Sequence, residues 1–374
     1  MDVEELKFFH QLSPAEQDNY HFKRSAHPTA YDANPIGYVY LIALAKLLFP
    51  FVGDQKAIVL LQMLVHAALC AWVFFSPSFP PKFKLGFFFL YALNPVALGF
   101  ATFNYYYLWQ AVPSFFVLYL WHERRIYLGG VLLLALATGL ALAARPTPML
   151  LVPVLAWLTY QRLGWKGAVA MLLVLGAVFA AVYRPTQKNI FHVAYLGVGA
   201  YANPDHIQIS DTDVYALYES KTGEKLDPSI GGNFYQPAVM ARYHQVTREG
   251  YLAEARAHPL LLARNTVLNI AQSYLLGYQT RCGDWLNYIV AGLGAAFAAW
   301  LAWRRRWFYL VVIPLASLTF TPYYPPIRAY MYGAYSLIVF ALLAGLRLIE
   351  SSPPQNFPLH PGTKPENSPK RQWL

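Results

Sequence analysis

The residues best suited to chemistry stand at the ends of long apolar runs. Carboxylates concentrate in residues 1–36, at Asp2, Glu4, Glu5, Asp18 and Asp32, and cations follow later runs at Arg145, Arg184, Lys188, Arg281 and Arg328. A basic side chain at a membrane surface can hold a phosphate by charge-assisted hydrogen bonds. A nearby carboxylate can take the proton from a hydroxyl. Such a pair suits transfer of a group from a lipid-linked phosphate to a hydroxyl acceptor.

Each of these groups also has a structural interpretation. An interfacial arginine commonly snorkels or contacts phospholipid, although Arg145 and Arg328 lie in very short turns beside prolines. The tyrosines at 105–107, 323, 324, 330 and 332 are typical of an aromatic belt, and alternatively form a wall for a sugar or a polyprenyl chain.

Metal and nucleotide motifs are absent from the sequence. His10, His21 and His27 do not have the i, i+4 spacing of a zinc pair, and neither HExxH nor a glycine-rich phosphate loop occurs. We therefore predict no metal ligands from the sequence and no nucleotide-driven pump.

The composition indicates a polytopic membrane protein. The chain is 57% hydrophobic and only 13% charged, whereas soluble domains have about 25% charged residues. The net charge of +10 does not indicate nucleic acid, because the basic residues cluster between apolar runs, where the positive-inside rule places them.

The apolar runs predict an all-α fold. Nine spans are expected, at 57–76, 85–101, 105–121, 127–144, 147–161, 166–183, 286–303, 307–321 and 329–348. The run from Tyr38 to Phe51 would reach only about 21 Å as a helix, short of the ~30 Å hydrocarbon core. It is therefore predicted to be interfacial or re-entrant.

Charge then orients the chain. Cytoplasmic placement of the basic turns near Lys82, Arg124, Arg162 and Arg304 is consistent with all nine spans. Residues 1–56 are then an extracytoplasmic first loop, 57–183 a transmembrane core, 184–285 an extracytoplasmic loop, 286–348 three further spans, and 349–374 a disordered cytoplasmic tail. Within 184–285, amphipathic helices are expected from about residue 235, with a new helix at Pro259, and loop before that.

Four local patterns follow this layout. They are Asp2 to Phe9 (DVEELKFF), Asn34 to Tyr40 (NPIGYVY), Ala144 to Thr147 (ARPT), and Arg328 to Tyr330 (RAY). In order and placement the chain resembles the GT-C class of membrane glycosyltransferases, closest to the protein O-mannosyltransferase and lipid A aminoarabinose transferase families. It differs in having no spanning helix ahead of Asp2, and in reading Tyr107 to Gln110 (YLWQ) where those families commonly carry an acidic residue.

The resemblance implies specific roles. Asp2 would be the base that deprotonates the acceptor hydroxyl, Arg145, Arg184, Lys188 and Arg328 would bind the lipid phosphate, and Asn34, Tyr106 and Tyr330 would contact substrate. The expected partners are a polyprenyl-phosphate sugar donor, a lipid, glycan or protein acceptor, and membrane lipids. A divalent metal is optional in the class, and no other cofactor is expected.

The function expected from these features is inverting sugar transfer at the outer face of a plasma (inner) membrane, facing the periplasm or cell exterior. Two alternatives remain open. One is a polymerase or ligase of lipid-linked glycans, because the 184–285 segment is long and carries several arginines. The other is a non-catalytic membrane subunit or a transporter, although no inverted repeat supports transport.

Overall fold

The described part of the protein is helical. The computed structural model describes residues 8, 11–13, 16, 36–183, 190–226, 237–275, 277–280 and 282–348. Within these ranges there is no β-strand, only an isolated bridge between Tyr278 and Ile327. The predicted all-α class is confirmed for these residues.

The helices fall into three groups along the chain. The first group is α1 (Ile36–Leu48), α2 (Asp54–Phe75), α3 (Pro81–Phe87), α4 (Pro95–Thr102), α5 (Ala111–His122), α6 (Leu128–Ala144) and α7 (Val152–Val182). The second is α8 (Ile190–Val198), α9 (Asp211–Thr222), α10 (Pro237–Ala257) and α11 (Pro259–Gln272). The third is α12 (Asp284–Trp303), α13 (Trp307–Leu315) and α14 (Arg328–Gly345).

Among the described residues, four helical segments are long and apolar enough to cross a membrane. They are Asp54–Phe75, Thr147–Val182, Asp284–Trp303 and Arg328–Gly345, and a fifth is added if Pro81–Ala92 and Pro95–Thr102 form one bent span. The chain therefore has the character of a helical membrane protein. Nine separate spans are not confirmed by these helices.

Breaks and turns in the helices explain why fewer membrane-spanning segments are found than the nine predicted from the sequence. Asn94 caps α4 by accepting a hydrogen bond from the Val96 amide at 2.9 Å, with Pro95 in the first helical turn, so the predicted span 85–101 is bent by 55°. Gly164 has a left-handed φ of 72° between the predicted spans 147–161 and 166–183. The predicted span 307–321 is α-helical only to Leu315, and 105–121 begins with a 3₁₀ turn, Tyr106–Gln110.

The turns predicted to be cytoplasmic meet at one end of the bundle. His122 bonds to the Tyr309 hydroxyl at 2.5 Å. The Arg162 guanidinium donates to the carbonyls of Leu120 and Trp121 at 3.0 and 2.9 Å. The predicted outer turns, which contain Arg145 and the tyrosines of 105–107 and 330, also contact one another. The structure therefore brings together turns that the sequence predicts to lie on the same side of the bundle.

Two glycines allow the helices near the outer turns to approach closely. A Cβ atom at Gly139 of α6 would lie 2.9 Å from the Leu175 carbonyl oxygen of α7. A Cβ atom at Gly37 of α1 would overlap the backbone of α6 at Ala143 and Ala144. The C-terminal end of α6 is therefore clamped between α1 and α7, just before Arg145.

The segment from 190 to 280 is more helical than predicted. The new helix at Pro259 is confirmed as α11, but the expectation of loop before residue 235 is wrong, because α8 and α9 lie there. The Ser210 side chain caps α9 by accepting from the Thr212 amide at 3.3 Å, and Gly223 ends the helix with a left-handed φ of 73°. These are the usual start and stop signals of a helix.

Candidate functional site

Arg145 lies among three tyrosine rings contributed by distant parts of the chain. Its guanidinium carbon is 4.3 Å from the ring centre of Tyr330, 5.1 Å from that of Tyr106 and 5.8 Å from that of Tyr107. These distances are in the range of cation–π interactions. We call Tyr106, Tyr107 and Tyr330 the tyrosine cage. The structure thus brings together three residues predicted from the sequence, namely Arg145, Tyr106 and Tyr330.

Backbone hydrogen bonds fix the position of the cage. The Arg145 amide donates to the Ala141 carbonyl at 2.8 Å, so the residue closes the last turn of α6. A cation is favourable there because the helix dipole is negative at its C-terminus. The buried Gln110 side chain donates through its Nε2 atom to the Ala329 backbone carbonyl at 2.7 Å, which ties the 3₁₀ turn carrying Tyr106 and Tyr107 to the start of α14.

The Arg145 side chain is half-buried and keeps free bonding capacity. Its Nε atom is shielded from solvent and has no hydrogen-bond partner. Among the described residues, no carboxylate lies within ion-pair distance of its guanidinium. A shielded charged donor without an acceptor is costly unless a ligand supplies one. The cage can therefore accept an anion.

Three aromatic residues that were not predicted as site residues extend the cage on both sides, although Tyr324 was among the tyrosines expected in an aromatic belt or wall. The Tyr38 ring packs edge-on to Tyr106 at 5.9 Å, and its hydroxyl donates to the Asn104 side chain at 2.9 Å. Phe320 and Tyr324 lie 5.2 and 5.6 Å from Tyr330. Tyr38 was visible in the sequence as part of the NPIGYVY pattern, whereas nothing in the sequence indicated that Phe320 would join this cluster.

Arg328 lies beside the cage with its side chain directed elsewhere. It is exposed, and its guanidinium donates to the Gln279 side-chain oxygen at 2.5 Å. Residues two positions apart in an α-helix are separated by about 200° around the helix axis. Arg328 and Tyr330 therefore face different sides of α14. The structure does not bring Arg328 to Arg145.

Four predicted site residues lie outside the described residues. They are Asp2, Asn34, Arg184 and Lys188. The described segment that follows Asn34 does reach the cage, because Tyr38 contacts both Tyr106 and Asn104.

An open cavity of about 490 Å³ lies next to the cage. Asn104, which binds Tyr38, also lines this cavity, and the opposite wall is the first part of α2. Its lining is mixed apolar and polar: Val52, Gln55, Lys56, Val59, Leu60, Thr102 and Asn104. The cavity therefore offers apolar surface together with Lys56, and its wall at Asn104 is two residues from Tyr106 of the cage.

The helices of the 190–280 segment hold two further polar groups that sequence reasoning missed. His192 bonds the Tyr243 hydroxyl at 2.5 Å through Nδ1 and Asp211 at 3.1 Å through Nε2, and this bond lowers the pKa of the Asp211 carboxyl. Separately, Asp205, Glu254 and His258 bring ligand-type atoms within 4.8 Å of one another. The second group could hold a metal ion.

Comparison with known proteins gives no assignment. No protein-family model matches the chain, and neither a curated protein nor a solved structure matches it.

Proposed function

We propose that this chain is an integral membrane glycosyltransferase that moves a sugar from a polyprenyl-phosphate-linked donor to an extracytoplasmic hydroxyl acceptor, with inversion. The observation that carries the proposal is the shielded, unpaired guanidinium of Arg145 inside the tyrosine cage. The nine-span GT-C layout and the periplasmic or extracellular orientation of the site belong to the same proposal.

The charge and geometry of Arg145 favour a phosphate as the ligand. Guanidinium groups bind phosphate oxygens through paired hydrogen bonds. The guanidinium is held among three rings, so it is ordered before the ligand arrives and loses little freedom on binding. This arrangement fits the leaving phosphate of a lipid-linked donor, on which negative charge increases as the glycosidic bond breaks.

The surroundings of the cage match the other parts of such a donor. The faces of Tyr106, Tyr107 and Tyr330 supply flat apolar surface suited to a sugar ring. The cavity beside Asn104 supplies Val52, Val59 and Leu60 for the first isoprene units. A phosphate site in an aromatic cage, with an apolar cavity nearby at Asn104, offers surfaces for the three parts of a polyprenyl-phosphate sugar.

The proposed step is a single displacement at the anomeric carbon. The acceptor hydroxyl gives its proton to the Asp2 carboxylate and its oxygen bonds to the anomeric carbon from the face opposite the phosphate. The bond from that carbon to the phosphate oxygen breaks, and the phosphate leaves with the electron pair, held by Arg145. One displacement inverts the anomeric configuration. The role of Asp2 rests on the family resemblance alone.

Transfer assays with matched variants test the proposal. Membranes that contain the full chain are incubated with radiolabelled polyprenyl-phosphate monosaccharides, and both sugar transfer and released polyprenyl phosphate are measured. Asp2→Asn and Arg145→Gln should abolish most transfer, whereas Arg124→Gln, an exposed arginine at the other end of the bundle, should retain it. Transfer that is unaffected by Arg145→Gln would refute the proposal. Transfer only from an oligosaccharide-charged carrier would replace it with the ligase alternative.

A further inference from the structure

A second site stands out in the helices of the 190–280 segment. Three side chains converge there: Asp205 from the loop between α8 and α9, Glu254 from the last turn of α10, and His258 from the junction of α10 and α11. Their ligand-type atoms all lie within 4.8 Å of one another. None of these residues contributes to the cage, so the site is independent of the proposed function.

The backbone sets the spacing of two of these groups. Glu254 and His258 are four residues apart, and the His258 amide still donates to the Glu254 carbonyl at 2.8 Å. The helical turn therefore continues to His258, and residues at i and i+4 lie on one face. Two metal-binding side chains at this spacing can reach a common ion.

The protein's own contacts leave the negative charge of the group incompletely satisfied. The Nε2 atom of His258 is 3.0 Å from Oδ2 of Asp205, so one imidazole faces two carboxylates. The Oε2 atom of Glu254 is shielded from solvent and has no hydrogen-bond partner. A shielded carboxylate oxygen without a donor needs a proton or a cation.

We propose that Asp205, Glu254 and His258 bind one divalent transition-metal ion of the Zn²⁺ type. In a tetrahedral Zn²⁺ site with bond lengths of about 2.1 Å, ligand atoms are about 3.4 Å apart, so a pair at the 4.8 Å limit would have to close by about 1.4 Å, which side-chain rotation can supply. A mixed set of one imidazole and two carboxylates suits Zn²⁺, whereas Mg²⁺ and Ca²⁺ prefer oxygen ligands alone. Water completes the four-coordinate shell.

The ion would connect two parts of the 190–280 segment. Asp205 belongs to the loop that joins α8 to α9, and the other two ligands belong to the α10–α11 junction. Metal binding would therefore fix the loop against that junction, and it stabilises the folded state because the site does not exist in the unfolded chain.

The test uses the tag-free full chain in detergent, stripped with a chelator. Zn²⁺ titration should give one site per chain and raise the thermal midpoint, and Mg²⁺ or Ca²⁺ at the same concentration should not. Glu254→Gln and Asp205→Asn should each weaken Zn²⁺ binding at least about tenfold. Glu249→Gln, an exposed carboxylate on the same helix, should bind Zn²⁺ like the parent.

Cobalt provides a second readout that does not depend on stability. Co²⁺ bound in a four-coordinate site absorbs visible light. Added Zn²⁺ should replace the Co²⁺ and remove this absorption in the parent protein, but not in Glu254→Gln. Equal Zn²⁺ affinity of the parent and Glu254→Gln would overturn the proposal. A parent without any Zn²⁺ response, together with a more stable metal-free Glu254→Gln, would show that the carboxylates share a proton and would also overturn it.

Discussion

Removing one ring of the tyrosine cage should weaken anion binding through Arg145. Tyr330 is the nearest ring, with its centre 4.3 Å from the guanidinium carbon. A cation–π contact is worth about 0.5–1 kcal/mol when exposed and about 2 when desolvated, and Arg145 is half-buried. Tyr330→Leu should therefore cost about 1–2 kcal/mol, a roughly 5- to 30-fold loss of affinity. Tyr330→Phe keeps the ring face and should retain most of the affinity.

The assay is equilibrium binding of undecaprenyl phosphate to the full chain in detergent micelles. Tyr330 also packs against Phe320 and Tyr324, so a leucine could act by loosening that cluster. A double-mutant cycle with Arg145→Gln separates the two effects, because only the direct contact gives a coupling energy between the sites. A coupling energy near zero, or a loss from Tyr330→Phe as large as that from Tyr330→Leu, would refute the role assigned to the cage.

Other parts of the structure give three further expected outcomes. Gly37→Ala should lower the thermal midpoint because its Cβ would overlap the backbone of α6, whereas Gly176→Ala, with nothing within 4 Å of the added atom, should not. Glu123→Ala should cost about 1–3 kcal/mol in denaturant unfolding, since two serine hydroxyls and a tryptophan N–H lose their acceptor; a cost near zero would contradict the assigned bonds. The hydrogen bond from His192 lowers the pKa of Asp211, so its stabilisation is present above the unfolded-state value of about 3.9 and is lost as the pH falls through the lower folded-state value. The midpoint difference between the parent and Asp211→Asn should accordingly shrink between pH 6 and pH 3, and a constant difference would contradict this assignment.

The sequence predicted the cage better than it predicted the helices around it. Arg145, Tyr106 and Tyr330 were selected because charged and aromatic residues at the ends of apolar runs can meet at a membrane surface. Because successive apolar runs cross the membrane in opposite directions, the ends of alternate runs meet at the same surface. Predicting this meeting does not require the exact bounds of the helices. Phe320 could not be selected, because its contact with Tyr330 depends on α13 ending at Leu315 and on the turns that follow.

The bounds failed where local breaks interrupt an apolar run. Hydropathy averages over a window, so it does not respond to the asparagine cap of α4 inside the predicted span 85–101. The left-handed Gly164, in contrast, lies between two predicted spans, where a turn was expected. The helix α9 was missed for the opposite reason. Its apolar content is low, but its serine cap and its terminal Gly223 are helix signals that do not depend on hydropathy.

The stretch before α14 forms hydrogen bonds both with helix α11 and with a residue just after Arg145. The Thr266 hydroxyl donates to the Pro322 carbonyl at 2.6 Å, and the Asn269 amide donates to the Thr321 carbonyl at 3.1 Å. On the other side, Thr319 donates to the Thr147 carbonyl at 2.8 Å, two residues after Arg145. The stretch 319–322 therefore links α11 to the turn that carries Arg145.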